Sequence, residues 1–147
     1  MSHKPDNARN HEREKAGLKF LLSENPDLVL PTSDEKRSLL RLLELSTRRM
    51  RSFDLVRLNV PTIDHIASRE DFSLVEVKVT EKELPNFPTG FFFGMTANEE
   101  DLLRKLEDSF ILCLVSINEK SRRYIFLSYE DLQKRIKHKR TQYQINL

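Results

Sequence analysis

The sequence lacks the features that mark secreted, membrane-spanning and zinc-thiolate proteins. Its single cysteine, Cys113, can form no internal disulfide, and no cysteine or histidine spacing typical of a zinc site is present. No apolar run approaches the roughly 18 residues of a membrane span, and the polar N-terminus has no signal-peptide core. We therefore expect an intracellular, cytoplasmic protein with no membrane partner, in which Cys113 is a buried core thiol.

An excess of one charge is also missing. The net charge of +2 gives no global sign of a nucleic-acid-binding protein, so the distribution of charge is more informative than its sum. Repeats and low-complexity segments are absent. At 147 residues the chain has room for one domain. We assign that domain to residues 11–147 and expect the polar, aperiodic residues 1–10 to form a disordered tail.

Hydrophobic patterning predicts an α/β sandwich, with a mixed central sheet of about five strands flanked by helices. Capping boxes begin two of the helices, at Thr32 with Glu35 and at Thr96 with Glu99. The first three strands should form an antiparallel meander, because their connections are too short for crossovers. The predicted helices cover residues 11–22, 32–51, 96–108 and a last segment from 128, and the predicted strands cover 53–60, 63–66, 72–79, 110–117 and 123–127.

The strand predicted at residues 72–79 carries two charges in an otherwise apolar run. With a period of two, Val75, Val77 and Val79 share one face, while Glu76 and Lys78 share the other. Burying either charge alone is costly, so the two need each other, a ligand or a metal. Asp64, twelve positions upstream of Glu76, is a second acid in an apolar setting.

An acid followed by Glu-x-Lys on a hydrophobic strand resembles the PD-(D/E)xK nuclease superfamily. The segments 63–68, 75–80 and 93–100, with the apolar strand at 110–117, are most similar to the nuclease-like domain family named for the C-terminal region of the plant NO VEIN protein. Ile63 replaces the proline that often precedes the acid, and the usual upstream glycine is absent. The resemblance implies a restriction-endonuclease-like fold and metal-dependent hydrolysis of phosphodiester bonds in DNA.

The resemblance also implies the roles of individual residues. Asp64, Glu76 and the backbone carbonyl of Val77 would hold Mg²⁺, for which Mn²⁺ is expected to substitute, and Lys78 would orient water or stabilise developing charge. Glu44, on the helix expected before the strands, is a candidate accessory acid. Asp64, Glu76 and Lys78 are thus the expected catalytic residues of an endonuclease.

Several alternatives remain open. Asp54 is a rival for the upstream acid, although its predicted strand places it further from Glu76. Glu76 and Lys78 could be a surface pair, Asp64 a turn cap, and Glu44 a surface acid paired with Arg48. The chain could instead be a catalytically inactive nuclease-fold module for DNA binding or assembly, or an interaction domain without nucleic acid.

Clustered basic residues suggest contacts with DNA phosphates. The alternative interpretation of each cluster is a solvated helix end. Arg48, Arg49 and Arg51 form one such cluster. A chain this small has little room for catalysis and long-site recognition, so we expect a homodimer or a subunit of a larger restriction or defence assembly. The candidate DNA-binding residues are Lys82, Arg122, Arg123, Lys134, Arg135, Lys137, Lys139 and Arg140.

Overall fold

The computed structural model describes residues 6–147, with side chains described from Arg9 onward. Residues 1–5, half of the predicted disordered tail, lie outside the described residues, whereas residues 6–10 are already helical. The helices and strands are α1 (Asp6–Glu24), β1 (Leu28–Val29), α2 (Ser33–Leu42), β2 (Leu55–Leu58), β3 (Phe72–Thr80), α3 (Ala97–Leu106), β4 (Phe110–Ser116), β5 (Arg123–Leu127) and α4 (Tyr129–Arg135).

The five strands form one mixed sheet in the order β1-β2-β3-β4-β5. Antiparallel pairing joins β1 to β2, β2 to β3 and β4 to β5, and β3 runs parallel to β4. The parallel connection needs a crossover, which α3 provides. The expected class, a mixed sheet flanked by helices, is confirmed at this level.

Helices cover both faces of the sheet. Leu21 of α1 packs with Val75, Val77 and Cys113 on one face. Leucines of α2, α3 and α4 pack on the other face, together with Leu74. The alternation predicted for β3 is therefore observed, and Cys113 is a buried core thiol as expected.

β4 is buried along its whole length between β3 and β5. Its near-continuous apolar sequence predicted such a central position, and the structure confirms it. Both capping boxes are also present, with Thr32 and Thr96 at the N-caps. In the run of three phenylalanines, Phe91 and Phe93 pack on the core while Phe92 is 86% exposed.

The helix predicted from Thr32 to Arg51 is interrupted, so its expected extent is wrong. α2 ends at Leu42, and Glu44 adopts a positive φ of 59°. The Leu45 N–H then donates to the Leu40 carbonyl at 2.8 Å, which closes a Schellman-type helix end. Such an end usually carries glycine, so a glutamate gave no sequence signal for it. A 3-10 turn at Thr47–Ser52 follows.

The strand predicted at residues 63–66 is also wrong. Ile63–His65 is a 3-10 turn, in which the Thr62 hydroxyl and a His65 ring nitrogen lie 2.7 Å apart. The sheet obtains its remaining strand from β1, in a segment expected to be only a link. β1 pairs with β2, and α2 is inserted between them in the chain.

Within residues 6–147, no helix combines the length and apolar character required to cross a bilayer.

Candidate functional site

Four ionisable side chains meet at the middle of β3. Glu76 and Lys78 project from the β3 face that α2 and α3 cover, and Glu99 enters from the first turn of α3. Asp54 precedes β2 and contacts the β3 backbone beside Glu76. The structure therefore brings together the Glu-x-Lys pair predicted from the sequence and two acids from neighbouring elements.

Glu76 is the most buried of these charged groups, with 8% of its surface exposed. Burial raises its pKa to about 9, and the nearby charges of Asp54 and Glu99 act in the same direction, against the lowering effect of Lys78. Its Oε2 atom is buried and accepts no hydrogen bond. Since a buried carboxylate oxygen needs a positive partner, Oε2 suits either a proton or a cation.

Asp54 bridges the backbone on both sides of Glu76. Its N–H donates to the Val75 carbonyl at 2.9 Å, and its Oδ2 accepts from the Val77 N–H at 2.9 Å. β2 begins at Leu55, opposite Val75, and the charge of Asp54 raises the pKa of Glu76, so Asp54 lies close to Glu76. Burial raises the pKa of Asp54, against the lowering effect of the Val77 N–H. The expectation that Asp54 lies further from Glu76 than Asp64 does is wrong.

Lys78 lies between two carboxylates. Its Nζ is 2.9 Å from Glu99 Oε2 and 3.3 Å from Glu76 Oε1. Burial alone would lower the pKa of Lys78, but the hydrogen bond to Glu99 and the two acidic charges outweigh it, so the pKa is raised. Lys78 is consequently a charged ammonium at neutral pH, held next to Glu76.

Glu99 is the residue of this cluster that was missing from the sequence-based site. Its Oε1 accepts from the Thr96 N–H at 3.1 Å, as a capping box requires, which leaves Oε2 for Lys78. Burial would raise the pKa of Glu99, but the hydrogen bond and charge of Lys78 outweigh this effect and lower it. The capping-box motif identified Glu99, but it gave no indication that α3 begins beside Lys78.

Asp64 is not part of the cluster. It is exposed on the 3-10 turn of the connection that leaves β2 at Leu58 and enters β3 at Phe72. Phe72 lies four residues before Glu76, or roughly 13 Å along the strand, so this connection begins and ends away from Glu76. The expected convergence of Asp64 with Glu76 from adjacent strands is therefore not observed.

Glu44, the candidate accessory acid, is exposed at the end of α2 rather than on a helix face. Its positive φ places it in the Schellman-type turn described above, so it no longer belongs to the helical surface that was expected to carry it.

The candidate DNA-binding residues lie in separate places. Arg122 stacks over Phe20 of α1, on the side of the sheet opposite Glu76. Lys134 lies 3.6 Å from Glu130, and Lys139 lies 2.8 Å from Glu100. The remaining five are exposed, in the loop after β3, at the start of β5, at the end of α4 and in the C-terminal segment: Lys82, Arg123, Arg135, Lys137 and Arg140.

The donor set can be compared with the needs of a divalent cation. Among the described residues, no group of three or more Asp, Glu, His or Cys side chains is placed to hold a metal. Asp54 and Glu76 nevertheless offer hard oxygen donors, and Glu76 Oε2 is available. The N–H and carbonyl of one strand residue point the same way, so the Val77 carbonyl faces Asp54. Two carboxylates and a carbonyl suit Mg²⁺, which retains several waters.

Comparisons of the chain with models of protein families, with curated proteins and with solved structures found no match.

Proposed function

We propose that this protein is a metal-dependent DNA endonuclease of the PD-(D/E)xK type, in which Asp54 rather than Asp64 is the upstream acid. The observation that carries the proposal is the buried Glu76, with an unpaired Oε2, between Asp54 and Lys78. A buried carboxylate of this kind needs a strong reason to be retained, because it opposes folding when it is ionised. Cation binding by Glu76 and Asp54 provides such a reason.

The order of elements supports the same proposal. With β1 counted, Asp54 immediately precedes the second antiparallel strand and Glu76-Val77-Lys78 lies on the third, after a preceding helix. This is the order that the resemblance to the superfamily implied for Asp64. The restriction-endonuclease-like fold is thus part of the proposal, with twenty-one residues between the two acids instead of eleven.

Asp54, Glu76 and the Val77 carbonyl would hold Mg²⁺, which would polarise a phosphate and lower the pKa of a bound water. Glu76 must lose its proton before it binds a cation, because its pKa is raised to about 9. The Lys78 ammonium can donate hydrogen bonds to a water or to a phosphate oxygen. Metal binding should therefore release a proton and strengthen as the pH rises.

The basic experiment is cleavage of supercoiled plasmid and of single-stranded DNA with Mg²⁺, with Mn²⁺ and with EDTA. We expect cleavage with either metal and none with EDTA. DNA that stays intact with both metals would overturn the proposal, as would cleavage that EDTA does not affect.

Matched variants of the two candidate acids test which one acts. Asp54→Asn keeps an oxygen for the Val77 N–H but loses the negative charge, so we expect cleavage to fall on the order of 100-fold or more. Asp64→Asn should change the rate less than about twofold, because Asp64 is exposed away from the cluster. A loss confined to Asp64→Asn would restore the original assignment. Melting curves for both variants control for unfolding.

The second candidate is an inactive nuclease-fold module that binds DNA. It is favoured by the contacts of Lys78 with both Glu76 and Glu99, because these charges compensate one another without a metal. Such a module would bind DNA equally with Mg²⁺ and with EDTA, and it would retain binding in Glu76→Gln.

A further inference from the structure

A cavity of about 550 Å³ adjoins the cluster and shares Asp54 with it. It lies between the first turns of α2, which supply Ser33 and Lys36, and the 3-10 turn that supplies Thr47, Arg48 and Arg51. The unexpected end of α2 creates this shape, because the 3-10 turn replaces the predicted continuation of the helix.

Cations dominate the walls of this cavity. Lys36, Arg48 and Arg51 line it, against the single carboxylate of Asp54. Several other cations are paired with acids, as in the pairs of Arg37 with Asp34 at 2.9 Å and of three other basic side chains with acids on α3. Considering residues 9–147, neither Arg48 nor Arg51 forms an ion pair, and both are exposed. Two guanidinium groups therefore line a concave surface without an ion-pair partner.

Lys36 is the rigid part of the cavity. Its Nζ donates to the Met50 carbonyl at 3.2 Å and to the Phe53 carbonyl at 3.1 Å, and lies over the Phe53 ring. An ammonium has three donors, so one remains for a ligand. Lys36 also lowers the pKa of Asp54, against the dominant effect of burial. The cavity thus places a fixed positive charge next to one acid of the cluster.

We propose that this cavity binds backbone phosphates of a single nucleic-acid strand, next to the phosphate held at the Asp54–Glu76 cluster. The proposal rests on the nuclease function proposed above and deepens it by locating the path of the strand. Arginine guanidinium groups recognise phosphate through paired hydrogen bonds, and the hydroxyls of Ser33 and Thr47 add donors of the kind that contacts phosphates. The cavity reads no base sequence, since phosphate contacts position a strand without specifying it.

Binding measured without catalysis tests the proposal. The probe is a short fluorescein-labelled single-stranded oligodeoxynucleotide, followed by fluorescence anisotropy in EDTA over a series of salt concentrations. The test variant is the double substitution Arg48→Gln and Arg51→Gln. Lys36 is left intact because its two backbone contacts support the 3-10 turn. The matched control is Arg41→Gln with Arg69→Gln, which removes two exposed arginines that do not line the cavity.

We expect the cavity variant to bind about tenfold more weakly. The slope of log K against log salt concentration should become shallower by about 1–1.5, as expected for the loss of two phosphate contacts on a single strand. The control should change affinity by less than about twofold. Equal losses in the two variants, or no loss in the cavity variant, would overturn the proposal. Selective loss of binding supports it even if the plasmid assay shows no cleavage, in which case only the nuclease function fails.

Discussion

The two faces of β3 are built on different principles, although one strand supplies both. On the α1 face, Val75 and Val77 pack against Leu21 in an apolar layer. On the other face, Leu74 joins an equally apolar core, but two positions later Glu76 interrupts it. Within β3, the charged side chains are therefore confined to one face, where Asp54 and Glu99 meet them.

The largest effect on stability is expected on the charged face, from Glu76→Gln. The pKa of Glu76 is about 9 in the folded protein, against an ordinary value of 4.5. Between these values the folded state holds a proton that the unfolded state has lost, so stability falls as the pH rises through this window. From pH 6 to pH 8 we expect the wild type to lose about 2–3 kcal/mol relative to Glu76→Gln, or on the order of 5 °C in melting temperature.

Thermal unfolding of both proteins at a series of pH values measures this difference, since groups common to both cancel. The glutamine variant should be the more stable protein at pH 8 and the less active one in the plasmid assay. Parallel melting curves across the range would show that Glu76 is not protonated in the folded state, and the two faces would then differ less than we infer.

A smaller effect is expected on the apolar face, from Gly17→Ala in α1. A Cβ at Gly17 would lie 2.5 Å from Cγ2 of Val79, so either the branched Val79 side chain or α1 must shift. Alanine favours the helix by up to about 1 kcal/mol, but we expect the clash to dominate and to destabilise the protein by about 1–2 kcal/mol. Urea unfolding at a fixed pH measures the change.

Gly94→Ala is the matched control for this prediction, because no atom lies within 4 Å of a Cβ built there. Its effect should stay within about 0.5 kcal/mol. Unlike Glu76→Gln, Gly17→Ala should leave the pH dependence of stability unchanged. A change in that dependence would mean that the two faces are coupled through β3.

Sequence patterning predicted the elements whose signals are local. The alternation in β3, the continuous apolar run of β4 and the capping boxes at Thr32 and Thr96 are each contained in a few adjacent residues, and each was found. Glu76 and Lys78 share a face for the same reason. These features follow from the period of a strand and from the hydrogen bonds of a helix start.

The sequence-based predictions that are wrong concern features that depend on contacts between distant residues. β1 has two residues and exists through its pairing with β2, which no local pattern reveals. α2 ends at Leu42, and Glu44 rather than a glycine adopts the positive φ that follows, so the apolar pattern alone predicts a helix that continues to Arg51. Without the β1–β2 pairing, local patterning predicts a second strand at residues 63–66 and favours Asp64 over Asp54 as the upstream acid.

The smallest effect is expected where the charged face is closed by α3, from Glu99→Gln. Glutamine can still cap Thr96 through its side-chain oxygen, but Lys78 loses its nearest negative charge. Breaking a buried ion pair usually costs several kcal/mol. Here the pKa of Glu76 should fall when the charge of Glu99 is removed, so that an ionised Glu76 replaces Glu99 as the partner of Lys78. We therefore expect a net loss of only about 1 kcal/mol, together with a weaker pH dependence of stability than in the wild type.

Glu100→Gln, which removes the neighbouring contact with the exposed Lys139, should change stability by less than about 0.5 kcal/mol and leave the pH dependence intact. An unaltered pH dependence in Glu99→Gln would show that Glu99 does not influence the proton on Glu76, and that α3 covers the charged face without positioning Lys78.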